Sequence, residues 1–223
     1  MGGCKYFIAN TYFGLFSTTI VSLISVKLNL LDRFGLGSND FKTEAILFIC
    51  TITTLLLLVN MEMGIMKFAT FYFFIFLVEG LFHKIVHKAG AADILSDTLT
   101  VLSTVVLAIA VLGYVDKYNN FPFSVYMVVC LGAMILARLG INLVVFLGYP
   151  QYTISKTRYI ISTTVALVVS VLLAFNTGRL KRLAEKCELD EKPPDFIKNA
   201  IEGYVAILNM IMDTRKITNK TKD

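Results

Sequence analysis

The chain has few of the residues that most enzymes and metal sites need. Only two histidines, His83 and His87, occur among its 223 residues, and its four cysteines stand far apart. Neither a Ser-His-Asp arrangement nor a metalloprotease spacing is present. The cysteines lack the paired spacing of a zinc site or a disulfide framework. We therefore predict a protein that is not an enzyme, needs no cofactor, and keeps these cysteines as small apolar residues inside helices: Cys4, Cys50, Cys130 and Cys187.

Charge is also scarce. Only 17% of the residues are charged while 56% are hydrophobic, and the mean hydropathy is +0.70. A soluble domain of this composition would have more apolar surface than one core can bury. The formal net charge of +5 does not form a basic cluster interleaved with exposed aromatics, so a nucleic-acid partner is excluded. The composition predicts a membrane protein whose partners include lipid.

The length of the apolar runs predicts the architecture. A membrane-spanning helix needs about 20 mostly apolar residues, and the connections between the runs are too short to hold a soluble domain. We predict an all-α fold, a polytopic membrane bundle of about seven helices over residues 1–212, followed by a basic tail over 213–223. Six runs reach or approach the spanning length, and a marginal seventh follows: 6–28, 44–61, 66–83, 94–115, 123–148, 159–175 and then 196–212.

The basic residues indicate an orientation. A cluster at 179–186 follows the sixth run, and a second cluster closes the chain. Cytoplasmic segments of membrane proteins carry an excess of lysine and arginine. We therefore predict that the amino end and the carboxyl tail both face the cytoplasm.

Four charged residues lie inside or beside the apolar runs. A charge at bilayer depth costs a few kcal/mol, so each is a functional candidate if it meets a partner or a wet cavity. Arg138 cannot lose its proton and must meet an acid or a row of carbonyls. Glu79 or Glu202 could supply that acid. Asp97 shares a helix face with Thr100 and Thr104, which predicts a polar face that packs against a neighbouring helix.

One weak metal pattern is present. Glu79, His83 and His87 are spaced four residues apart, which places a carboxylate and two imidazoles on one helix face. Zinc and iron accept such ligands. The alternative is a helix end whose histidines lie among the lipid headgroups.

The last apolar run carries a polar stripe. On a helix, Asp195, Lys198, Glu202, Ala206, Asn209 and Asp213 share one narrow face. Hydrocarbon would reject such a stripe, so we predict that the other helices surround this one and turn the stripe towards a hydrated path. An amphipathic helix lying flat on the membrane is the alternative.

Three segments resemble the Bax-inhibitor family of membrane proteins. Residues 175–212, "FNTGRLKRLAEKCELDEKPPDFIKNAIEGYVAILNMIM", resemble its closing signature of a sixth-helix end, a charged loop and a final helix. "FLVEGLF" at 76–82 resembles its Glu-Gly-Leu element, and residues 97–123 resemble the following helix. These segments stand in the family's order within residues 76–212, a stretch of roughly two thirds of the chain, and they themselves make up about one third of it. The compact length and the Lys-, Asn- and Ile-rich loops would also suit a copy encoded by a large DNA virus.

The resemblance implies a seven-helix bundle with the last helix central, in the endoplasmic reticulum, the Golgi or a viral or host intracellular membrane. It also implies a calcium leak that suppresses cell death, closed by a proton-sensitive aspartate pair. This sequence has Asn176 and Ala206 where those aspartates are expected. Two adjacent carboxylates can share a proton, but these residues cannot titrate. The path would be lined by the remaining polar residues and the two replaced positions: Asn176, Glu202, Ala206, Asn209, Arg138 and Glu79.

Three functions follow from these features. The first is a Bax-inhibitor-like protein that modulates organelle calcium and inhibits apoptosis, with a degraded pH switch. The second is a non-conducting scaffold whose basic tail holds anionic lipid or apoptosis-regulating membrane proteins. The third, a metal-dependent membrane hydrolase, has the least support because the chain has only two histidines.

Overall fold

Seven long helices make up the regular structure of the residues that the structure describes. The computed structural model describes residues 2–28, 41–62, 64–87, 92–116, 120–147, 156–190 and 195–220, and no strand occurs within these ranges. A short helical turn, Gly2–Lys5, precedes the first long helix. The long helices are α1 (Phe7–Leu28), α2 (Phe41–Asn60), α3 (Ile65–His87), α4 (Ala92–Val115), α5 (Phe123–Phe146), α6 (Lys156–Asp190) and α7 (Phe196–Lys220).

Each predicted apolar run coincides with one of these helices, so the all-α bundle is confirmed. Across the described residues, α1, α2, α4, α5 and α6 are long and apolar enough to cross a membrane. The prediction was wrong about the end of the sixth run. Because residues 179–190 are mostly good helix formers, α6 continues to Asp190, and the expected charged loop is helical up to that residue.

Apolar side chains cover the outside of the bundle. In the most apolar 18-residue stretch of α2 only 17% of the residues are buried inside the protein, and in that of α5 only 22% are buried. Ile46, Leu56 and Val59 are each about 60% exposed. Exposed apolar surface on this scale would be unstable in water, so it marks the face that lipid covers.

Contacts divide the chain into two compact units. The first unit comprises residues 1–16 and 97–223, and the second comprises residues 17–96. In the second unit α2 and α3 pack against each other. The buried Lys67 side chain, at the start of α3, donates a hydrogen bond over 2.8 Å to the Met61 carbonyl that follows α2. This bond ties together the two ends of the short connection.

Small residues let the helices of the first unit approach closely. A Cβ atom placed on Gly14 would lie 3.2 Å from the Cβ of Ala200, and one on Gly203 would lie 3.3 Å from Leu15. Gly113 on α4 is more crowded, because its Cβ would lie 3.1 Å from the backbone nitrogen of Ala9. Close backbone approach at small residues is a principal source of helix association in lipid.

A disulfide joins Cys4 to Cys187 within the first unit, with their Cα atoms 5.8 Å apart. The prediction that all four cysteines are single apolar residues was wrong for this pair, since a spacing of 183 residues carries no information on proximity. Cys50 and Cys130 are free.

The disulfide constrains the membrane topology. Its two cysteines must lie on the same side of the bilayer, so an even number of crossings separates them. The five apolar helices named above all lie between them, so an even number requires one further crossing, for which the 23-residue α3 is the described candidate. The orientation predicted from the basic residues stays a prediction.

We expect the crossing of α3 to be measurable with single cysteines in a Cys50→Ser/Cys130→Ser background. Glu62→Cys and Asn120→Cys, both at exposed positions, should react with a membrane-impermeant maleimide from the same side, and Lys42→Cys from the other side. If α3 does not cross, Glu62→Cys and Asn120→Cys will be labelled from opposite sides.

We expect Gly113→Ala to destabilise the protein by about 1–3 kcal/mol, because the added methyl group meets the backbone of α1. Gly132→Ala is the matched control, since a Cβ atom there meets nothing within 4 Å. The control should be neutral or stabilising, by up to about 1 kcal/mol. Thermal unfolding in detergent compares the two variants, and equal losses would contradict the close approach.

Candidate functional site

A buried ion pair lies where α4 leaves its apolar span. Asp116 directly follows α4 and is 4% exposed. Its Oδ2 lies 3.1 Å from Nζ of Lys181 on α6, and the side chains are 1% and 13% exposed respectively. Charges removed from water at this depth are stable only when their remaining hydrogen-bonding positions are also filled.

The surrounding groups fill those positions. The Tyr126 hydroxyl on α5 donates to Oδ2 of Asp116 over 3.0 Å, and the Phe121 amide donates to Oδ1 over 3.0 Å. Lys181 donates to the Phe121 carbonyl and lies 5.0 Å from the centre of the Tyr126 ring. The Asp116–Lys181 pair thus joins α6 to the end of α4 and the start of α5.

Sequence reasoning missed this pair. Asp116 lies just outside the fourth apolar run, and Lys181 was counted as one member of a basic cluster. An acid placed immediately after a spanning run was the one available signal, because such an acid sits where partial burial begins.

A neutral network occupies the position where the first family aspartate is expected. The fully buried Tyr12 donates to the Leu173 carbonyl over 2.7 Å, and its hydroxyl lies 2.7 Å from Oγ1 of Thr177. Asn176 directly precedes Thr177 and is half-buried. The Tyr12 and Thr177 hydroxyls thus join α1 to α6 by hydrogen bonds between uncharged groups.

The polar stripe of α7 faces outwards. Lys198, Glu202, Ala206 and Asn209 are exposed, while the opposite face is buried. The prediction that the bundle shelters this stripe was therefore wrong. Periodicity shows which residues share a face, but the contacts of Gly203 and of the apolar side chains decide which face packs against the other helices. The side chain of Asp213 lies outside the described residues. The buried face consists of Ile197, Ala200, Ile201, Tyr204, Ile207 and Leu208.

Two members of the stripe have local partners. Glu202 forms an ion pair with Arg179 on α6, with 3.0 Å between Oε2 and Nη2 and side chains 40% and 61% exposed. The predicted pairing of Glu202 with Arg138 is therefore wrong. Asp195 caps α7, since its Oδ1 accepts hydrogen bonds from the amides of Ile197 and Lys198 over 3.1 and 3.2 Å.

Arg138 is buried on α5, with 5% exposure. Its Nη2 donates to Oγ of Ser162 over 2.7 Å, and its guanidinium lies 5.0 Å from the centre of the Tyr159 ring. Asp97, a carboxylate of the same unit, contributes to the electrostatic surroundings of this guanidinium. Its Nε and Nη1 atoms have no hydrogen-bond partner among the described residues. Two buried donors of a permanent cation thus call for a bound water or ion.

The threonines predicted to share the Asp97 face are half-buried. The Thr104 hydroxyl donates to the Thr100 carbonyl of its own helix over 3.2 Å. The packing role of this face, at Asp97, Thr100 and Thr104, stays a prediction.

Glu79 on α3 is 3% exposed and accepts a short hydrogen bond from the Ser22 hydroxyl within the second unit. The side chains of His83 and His87 lie outside the described residues, so their role as metal ligands stays a prediction. Across the side chains that are described, no three His, Cys, Asp or Glu residues are grouped to hold a metal ion.

Comparison with known proteins adds no relative from which a function could be transferred. No protein-family model, curated protein or solved structure matches the chain. The resemblance to the Bax-inhibitor family therefore rests on the sequence segments quoted above, and the function must be argued from the site.

We expect Lys181→Met to destabilise the protein by about 3–5 kcal/mol, because it leaves the Asp116 carboxylate buried without its cation. Asp116→Leu combined with Lys181→Met should recover much of this loss. The control is Arg179→Met, which breaks an exposed pair that contributes at most about 1 kcal/mol. Thermal unfolding in detergent measures all three variants. A loss for Lys181→Met no larger than that of the control would show that the pair is not structural.

Proposed function

We propose that the protein is a multi-pass membrane protein of Bax-inhibitor type that acts as a non-conducting scaffold. The observation that supports this proposal most directly concerns the two positions, 176 and 206, where the family resemblance implies aspartates. Asn176 carries no titratable group and directly precedes Thr177, whose hydroxyl meets that of Tyr12, and Ala206 lies on an exposed face of α7. A path gated by a shared proton would need two titratable groups that face each other.

The chemistry of the neutral network favours a fixed structure. Two adjacent carboxylates repel each other when ionised, and protonation relieves that repulsion, so such a pair can switch between two states. Hydroxyl and amide groups keep the same charge across the physiological range. The Tyr12, Thr177 and Leu173 contacts therefore hold α1 against α6 at acidic and neutral pH alike.

A scaffold acts through the surfaces that it presents. The described part of the chain places exposed cations on the carboxyl-terminal half of α6, and the sequence ends in a second basic cluster at 213–223. These features suit anionic lipid and the acidic surfaces of apoptosis-regulating membrane proteins.

A second candidate is a leak-type cation path that modulates organelle calcium and inhibits apoptosis. The feature that favours it is the surroundings of Arg138, where two buried donors lack described partners and Asp97 acts on the same guanidinium. Such donors are usually satisfied by buried water, and connected water could form part of a path. In this candidate the path would run beside α5, away from the stripe of α7.

We expect purified protein in calcium-loaded vesicles to show no acid-sensitive change in calcium flux between about pH 5 and 8, because neither Asn176 nor Ala206 can titrate. As a scaffold, it should also show no flux above that of protein-free vesicles at any of these pH values. The variant Asn176→Asp/Ala206→Asp should not create acid-sensitive gating, since residue 206 is exposed. A fluorescent calcium indicator inside the vesicles provides the measurement.

Two results would change the assignment. Flux that closes steeply at acidic pH would contradict the scaffold and restore a proton-gated path. Flux that Arg138→Gln abolishes, while the exposed control Arg179→Gln leaves it intact, would favour the second candidate.

A further inference from the structure

A groove of about 480 Å³ lies along the carboxyl-terminal half of α6, within the first unit. Its floor is apolar and is formed by Phe123, Phe175 and Leu183. The rings of Phe123 and Phe175 lie 5.3 Å apart between their centres. Phe175 is nevertheless 61% exposed, so the floor offers a wide aromatic surface to a ligand.

A glycine keeps the middle of this groove open. A Cβ atom placed on Gly178 would meet nothing within 4 Å, although the residue lines the groove. A larger side chain at this position would therefore fill space that is now empty, without a clash against the protein.

Three cations form one rim of the groove. Arg179, Arg182 and Lys186 are spaced three and four residues apart, so they lie on one face of α6. Arg179 is paired with Glu202. Arg182 and Lys186 are exposed, and no acid in the described part of the chain forms an ion pair with either. The rim therefore carries two positive charges that the described residues leave uncompensated.

The position of the groove relative to the bilayer decides what can occupy it. A helix of 35 residues is about 52 Å long, whereas the hydrocarbon core is about 30 Å thick. The end of α6 therefore extends beyond the hydrocarbon, and the groove lies where the apolar part of the helix gives way to its charged part. A ligand here has an apolar portion beside the phenylalanines and a negative portion beside the rim.

We propose that this groove binds one anionic phospholipid. Its phosphate lies between Arg182 and Lys186, and one acyl chain lies over Phe123 and Phe175. A soluble anion would leave the aromatic floor uncovered, and a zwitterionic lipid would bring its own headgroup cation next to Arg182 and Lys186 and supply no net negative charge. The proposal is independent of whether the protein conducts ions.

Binding can be measured by native mass spectrometry of the detergent-purified protein with dioctanoyl phosphatidylglycerol as the probe. We expect one bound copy, with phosphatidylcholine and glycerol phosphate binding at least tenfold more weakly. Removing one cation should weaken binding of phosphatidylglycerol about fivefold. The double variant Arg182→Gln/Lys186→Gln should therefore weaken it roughly 30-fold, since the two factors multiply. Lys198→Gln is the control, because this exposed cation on α7 does not line the groove.

A second pair of variants tests the groove without changing charge. Gly178→Leu should fill the groove and abolish the bound copy. Gly140→Leu should leave binding unchanged, since residue 140 is likewise on a helix, has open space around it and lies outside the groove. Thermal unfolding confirms that each variant is folded.

Three results would overturn the proposal. Equal losses for Lys198→Gln and for the rim variant would show general attraction to positive charge without a specific site. Unchanged binding to folded Gly178→Leu would show that lipid does not occupy the groove. Binding of glycerol phosphate as tight as that of phosphatidylglycerol would show an anion site that does not use the aromatic floor.

Discussion

The absence of water inside a bilayer is the constraint on which this structure depends. Polar groups at that depth must find partners within the protein, and the backbone does so by forming helices. Polar side chains solve the same problem locally. Thr11, Thr54 and Ser170 each donate a hydrogen bond to the carbonyl four residues earlier in their own helix. The bundle can therefore carry many hydroxyl groups without a hydrated interior.

Ionised side chains need partners beyond the carbonyl groups of their own helix, and in this structure most of these partners come from other helices. Asp116 and Lys181 meet near the membrane boundary, where Asp116 accepts hydrogen bonds from the Tyr126 hydroxyl and the Phe121 amide, and Lys181 donates one to the Phe121 carbonyl. Glu202 and Arg179 meet on an exposed face. Arg138 is the exception, because it is buried and two of its donors lack partners among the described residues. That exception makes Arg138 the strongest candidate for a hydrated site.

This distribution of charge bears on function. Where the proposed family resemblance predicts a proton-sensitive carboxylate, the chain has Asn176, and the neighbouring Thr177 and Tyr12 hydroxyls join α1 to α6 by hydrogen bonds between uncharged groups. Arg182 and Lys186, which form no ion pair with any described acid, instead lie on the charged end of α6. In the proposed scaffold, the inside of the protein provides rigidity and this end of α6 provides the surface for recognition.

The sequence alone determined the number and approximate bounds of the helices, because the length of an apolar run is a local property that the thickness of the bilayer fixes. It also identified Arg138 and Glu79 as buried charges, since their neighbours in sequence are apolar. Only the tertiary structure decided which groups meet. Sequence spacing does not show that two residues are close when helices far apart in the chain bring them together. This applies to Cys4 and Cys187, to Asp116 and Lys181, and to Tyr12 and Thr177. The exposed side of α7 was likewise decided by packing: periodicity defines two faces, and the close contacts of Gly203 and Ala200 with α1 select the buried one.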